Sequence, residues 1–176
     1  MGRETDRRAP LKRGGPPSAA SDAANRAALE LAFRQADYWI SPVPGEAKFT
    51  APTAEAGWLL TRIDQPCAAL SRRLAELGCS SAQLLTACNP RGLAASAADN
   101  RRAIQRLALC LRAAQAQWLP SLAMDRAGGW REPGVLLLGE PERVRRWAEQ
   151  FEQAAWVEYD AAGCGRLRWT AANTGE

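Results

Sequence analysis

The chain has 176 residues, 23 Lys and Arg against 19 Asp and Glu for a net charge of +4, 47% apolar residues, five cysteines and no histidine. Such a length holds one domain that buries about two-thirds of its unfolded surface without disulfides or metals. The lack of histidine excludes Ser-His and Cys-His nucleophile pairs and any zinc set that needs imidazole.

The charge is unevenly placed. Residues 1–26 hold six basic side chains against three acidic ones, whereas the other 150 residues hold 17 against 16. The basic excess therefore lies near the start, and the remainder lacks the electrostatic footprint of a nucleic-acid binder. Residues 1–20 mix both charges with Pro, Gly, Ser and Ala and read as a disordered tail, residues 21–170 as a single α/β domain, and residues 171–176 as a flexible end. No apolar run is long enough for a bilayer or a secretory signal, and Asp6 breaks the myristoylation pattern begun by Gly2. A cytoplasmic protein without membrane contact is the expectation. Cys67, Cys79, Cys88, Cys110 and Cys164 are scattered and form no C-x-x-C pair, which predicts free thiols. With only Lys12 and Lys48 as lysines, Ser-Lys and Schiff-base chemistry lack support, and neither metal nor cofactor is expected.

In chain order, a helix is predicted from the capping residues Ser21 or Asp22 to about Gln35, with Ala28, Leu29, Ala32, Phe33 and Ala36 at helical spacing. "DYWI" reads as a short strand, the proline-rich stretch after it as a surface loop, and Trp58–Ile63 as a second strand. Asp64 is the expected cap of a helix with Pro66 in its first turn; Cys67, Leu70, Leu74 and Leu77 form its stripe before Gly78 stops it. A strand follows over Ala82–Cys88. Ser96 and Asp99 resemble a capping box before a helix that buries Ile104, Leu107, Ala108 and Leu111. "WLPSLAMD", a Gly128-Gly129 turn and "GVLLLG" read as two strands, the latter central because it is apolar on both faces. Pro141 opens a helix burying Val144, Trp147, Ala148 and Phe151, and "AWVEY" with "RLRW" closes as a hairpin. The fold class expected is α/β (α+β): a ferredoxin-like split βαβ arrangement, a mostly antiparallel sheet with helices on one face, and an N-terminal helix and strand extension.

The turn "NPRG", residues 89–92, has the residue preferences of a type I turn. The stripe of the next helix, Leu111, Leu107 and Ile104, runs back at four-residue spacing to Asn100, which turns a carboxamide inward. An unpartnered buried amide costs about 1–3 kcal/mol, so Asn100 needs partners, and Asn89 and Thr86 are the nearest candidates. Two readings remain open. Asn100 ties the turn to the helix, or Asn89, Asn100 and Thr86 face a groove beyond the strand end, with Arg91, Arg101 and Arg102 supplying charge for a small anionic ligand.

The pattern Thr86, Ala87, Asn89, Pro90, Ser96, Asp99 and Asn100 resembles the bacterial family known as domain of unknown function 3293. "AFRQADY", "GGWREPGVLLLG" and "FEQAAWVEY" agree with it, so the resemblance runs from about Ala28 to Trp169. It implies a small α/β protein and no activity. It also implies an aromatic residue where Cys88 stands and Asn where Ala154 stands.

The reading favoured is a non-catalytic ligand-binding or regulatory domain with its groove at the Asn-Pro turn. An enzyme of carboxylate and arginine chemistry on a small phosphorylated or nucleotide-like substrate would instead bring Asp125 or Glu132 to the asparagines. A scaffold for a protein partner would expose an apolar patch around Trp39 and Trp58.

Overall fold

The computed structural model describes residues 19–44, 52–139 and 141–170, and within these the side chains of all but residues 19–22. The tail assigned to residues 1–20 lies outside them except for its last two residues, and the end at 171–176 lies outside entirely.

The first helix, α1, spans Ala19–Gln35 and runs directly into strand β1, Ala36–Ile40. Strand β2 is Leu59–Thr61, shorter than expected. Helix α2, Ala68–Glu76, buries Leu70 and Leu74 one turn apart, and Gly78, at φ +69°, stands past its end. Its N-cap is Cys67 without a side-chain cap bond, not Asp64, whose carboxylate pairs with Arg34 of α1. Then come β3 (Ala82–Thr86), α3 (Ala97–Ala113), β4 (Trp118–Asp125), β5 (Arg131–Leu138), α4 (Pro141–Gln150), β6 (Ala155–Tyr159) and β7 (Gly165–Trp169). The Ser96 hydroxyl accepts the Asp99 N–H at 3.1 Å, the capping geometry that the sequence predicts for α3.

The seven strands form one sheet in the order β2-β1-β4-β5-β3-β6-β7, with every neighbouring pair antiparallel. The unit β3-α3-β4-β5-α4-β6 supplies the four adjacent strands β6, β3, β5 and β4. The sheet curls until its edges touch: Ile63, just past β2, bridges Gly165 at the start of β7, and the Asp64 N–H donates to the Gly165 carbonyl at 2.8 Å. A Cβ on Gly165 would stand 2.9 Å from the Tyr159 ring and 3.0 Å from Val157 on the neighbouring β6, so glycine leaves those side chains their space beside the join.

Strand alternation divides the apolar side chains into two cores. On β3, Leu84 joins Tyr38, Leu136, Val157 and Tyr159 inside the curl, with Leu70 and Leu74 of α2 and Phe33 of α1 packed on it. Leu85 faces the other way, with Val135, Leu137 and Trp156, beneath Leu107 and Leu111 of α3 and Val144, Trp147 and Ala148 of α4. Each such aliphatic side chain stabilises by about 1.5–3 kcal/mol on full burial. Helices therefore cover both faces, which corrects the one-face expectation: the stripe of α2 needs an apolar surface of its own, and the concave side supplies it.

Candidate functional site

The site begins where β3 ends. The Thr86 hydroxyl donates to the Pro133 carbonyl at 2.8 Å and accepts the Cys88 N–H at 3.0 Å, so it fastens the strand end to β5. The turn then differs from the expected type I. Asn89 is left-handed at φ 49°, Arg91 has φ 57° and Gly92 φ 72°, while the Gly92 N–H bonds the Asn89 carbonyl at 2.9 Å. A positive φ at the third position is the type II signature. The Arg91 N–H is drawn to the Glu152 carbonyl at 2.7 Å, a contact from beyond the end of α4 that local sequence does not encode.

Asn100 is half-buried and meets Asn89, as the helical stripe predicts. Its Oδ1 accepts the Asn89 backbone N–H at 2.9 Å, and its Nδ2 donates to Asn89 Oδ1 at 3.0 Å. Asn89 Oδ1 also accepts the Ala95 N–H at 2.9 Å. The backbone donors fix which end of each carboxamide is oxygen. With Oδ1 so engaged, Asn89 Nδ2 is aimed at Glu132 Oε1 and donates to it at 2.6 Å.

Glu132 stands on β5 at the floor of a pocket of about 290 Å³. Leu29, Ala32 and Phe33 of α1 wall one side; Cys88, Asn89, Gly92 and Ala94 wall another; Trp130, Gln153 and Ala154 complete it. Helix α1 is held there by the Tyr38 hydroxyl, which donates to the Phe33 carbonyl at 2.8 Å, and by an edge-on contact between Phe33 and Trp169 at 6.4 Å. Glu132 also lines a chamber of about 30 Å³ inside the curl, with Tyr38, Thr86 and Gly134. Burial pushes the Glu132 carboxyl above the usual carboxylate range, and the Asn89 amide offsets part of that rise. The Cys88 thiol is pushed up to about 11, chiefly by burial, and is therefore a neutral lining group at neutral pH.

Of the five residues expected at the site, Asn89 lines the pocket, while Asn100 and Thr86 hold the turn behind it. Arg91 and Arg101 do not line it: Arg91 pairs with Glu152 at 3.0 Å with both side chains exposed, and Arg101 is exposed on α3. Arg102 pairs with Asp99 at 2.6 Å. Asp125 caps its own hairpin, accepting the Ala127 N–H at 3.2 Å and the Gly129 N–H at 3.1 Å, so Glu132 alone of that carboxylate pair reaches the asparagines.

Gln153 was not legible in advance. It is buried, and its Nε2 donates to the carbonyls of Cys88 at 2.9 Å and Phe151 at 3.2 Å. It follows Glu152, whose φ of 51° takes the chain out of α4, and no pattern in the sequence marks that reversal. Among the described residues no group of three or more His, Cys, Asp or Glu is placed to hold a metal, and no helix is long and apolar enough to cross a membrane.

Residues 85–156 match the family model described as Protein of unknown function (DUF3293). The likeness to DUF3293 is confined to this segment. The match covers the latter part of the stretch expected from the motifs, and every polar residue of the pocket lies within the matched segment, whereas Leu29, Ala32 and Phe33 precede it. The search of curated proteins and the search of solved structures each returned no match.

Proposed function

We propose that the chain is a small-molecule-binding domain whose ligand enters between α1 and the Asn89 turn and is received by Glu132. The observation that carries this reading is a largely buried carboxylate at the floor of an otherwise mostly apolar pocket, bonded on one oxygen by Asn89 Nδ2. Burying a carboxylate is costly unless it is paired and hydrogen-bonded, and a pocket of mainly apolar lining with a few convergent polar groups is the usual form of a ligand site. Helix α1 forms one wall of the pocket, so a regulatory role through α1 is part of the same reading. We also read the unit β3-α3-β4-β5-α4-β6 as a ferredoxin-like split βαβ arrangement, supported by its element order and by α3 and α4 sharing one face.

A thermal-shift screen of amines, nucleotides, sugar phosphates and organic acids tests it. A ligand present at 100 times its Kd stabilises by about 2.7 kcal/mol, which moves the Tm of a chain this size by about 5–10 °C. The expected shift is lost in Asn89→Ala and Glu132→Gln; a shift retained in both variants places the binding elsewhere.

A second reading, an enzyme acting on a small phosphorylated or nucleotide-like substrate, is favoured by one observation: Glu132 has a raised pKa and lines the pocket beside the asparagines, as a general acid would. It ranks lower because no arginine or lysine lines the pocket among the described residues. The scaffold reading has less support, since Trp58 is buried and Trp39 half-buried.

A further inference from the structure

We infer that the ligand of this pocket is an organic amine, a protonated primary or secondary ammonium on a compact hydrocarbon body. The inference rests on the proposed reading of the pocket as a ligand site.

The first support is the polar inventory. The carboxamide donors that line the pocket are turned onto protein acceptors: Asn89 Nδ2 bonds Glu132 Oε1, and Gln153 Nε2 bonds the carbonyls of Cys88 and Phe151. Among the described residues, Glu132 Oε2 and Gln153 Oε1 accept no hydrogen bond, although both residues line the pocket. Against these two acceptors the pocket wall offers one unengaged side-chain N–H among the described residues, the Trp130 indole, so the charged acceptor is left to a donor that the ligand brings. An ammonium brings two or three N–H groups and the opposite charge, whereas an anion would meet Glu132 with no basic side chain beside it. The second support is the wall. Phe33 and Trp130 both line the pocket, and aromatic faces attract a desolvated cation, while Leu29 and Ala32 suit a hydrocarbon body. The third is size. A volume of about 290 Å³ lies at the small end of ligand cavities, which suits a compact amine.

The test is a titration of the full chain at neutral pH with three probes of one shape, benzylamine, benzyl alcohol and benzoate. It is followed by calorimetry and by the indole signal of Trp130. Benzylamine is expected to bind at least about tenfold more tightly than benzyl alcohol, the difference a new charge-assisted hydrogen bond makes. Benzoate is expected not to bind in the pocket. Glu132→Gln, checked by its melting curve to be folded, is expected to remove the preference for the amine, whose affinity falls by at least about tenfold. Benzyl alcohol or benzoate binding in the pocket as tightly as the amine overturns the amine class and leaves the pocket reading standing. No perturbation of Trp130 by any probe overturns both.

Discussion

Asn100→Ala tests the clamp that aims Asn89 at Glu132. The substitution removes the acceptor of the Asn89 N–H, at 2.9 Å, and the donor to Asn89 Oδ1, at 3.0 Å. An orphaned, part-buried N–H costs about 1–3 kcal/mol. Loss of the second bond adds a few tenths, toward the low end of the usual ~0.5–1.5 kcal/mol, because Asn89 Oδ1 keeps the Ala95 N–H. Alanine returns up to about 0.7 kcal/mol through its better helix propensity. The expected net loss is about 0.5–3 kcal/mol, or a Tm lowered by about 1–12 °C. Urea denaturation followed by circular dichroism and tryptophan fluorescence measures it, with Asn25→Ala on the exposed face of α1 as a control expected within about 0.5 kcal/mol. If Asn100→Ala unfolds at the same urea concentration as the parent, the two carboxamides are not a clamp and the aim of Asn89 has another cause.

Glu132 makes a pH dependence of unusual sign for a carboxylate. Its folded pKa is raised, so between the unfolded and folded values the native state holds a proton that the unfolded state has released. Its contribution to stability is full below the ordinary Glu pKa and is lost as pH rises through the folded value; Glu132→Gln is expected to remove that fall and to be the more stable protein at neutral pH, read from melting curves across the acidic range. Gly134→Ala would set a Cβ 2.7 Å from the Leu85 carbonyl oxygen and 3.0 Å from Ser121 Oγ, and is expected to destabilise by about 1–3 kcal/mol in the same denaturation assay. Cys88, buried and with its thiol pushed up to about 11, is expected to be alkylated by iodoacetamide at neutral pH only on unfolding, more slowly than the half-buried Cys67, Cys79, Cys110 and Cys164; fast labelling of the native protein would contradict its burial. Arg101→Ala, at an exposed position away from the pocket, is expected to leave stability within about 0.5 kcal/mol and ligand affinity unchanged.

What could be read ahead of the structure follows the range of the forces involved. Period and caps act over a few residues, so the helices, most strands and the inward turn of Asn100 were legible: Leu111, Leu107, Ile104 and Asn100 share one helical stripe whatever surrounds it. Contacts between distant parts of the chain decided the rest. Asp64 has the chemistry of a cap but is engaged by Arg34, thirty positions away in sequence. The curl depends on Ile63 meeting Gly165, and the turn type depends on Arg91 meeting Glu152. Glu132 is the instructive case. It shares its strand face with Gly134 and Leu136, and that two-residue period was present in the sequence; the apolar run from Val135 to Leu138 hides the alternation because both faces of β5 are buried. Gln153 left no comparable trace.

The most direct measurement is the nuclear magnetic resonance spectrum of the side-chain amides as small amine and neutral fragments are added. Selective shifts of the Asn89 and Gln153 carboxamides and the Trp130 indole, with Asn25 unmoved, are the expected result. Fragments that move Asn25 or other surface amides and leave Asn89 and Gln153 in place would contradict a ligand site built on Glu132.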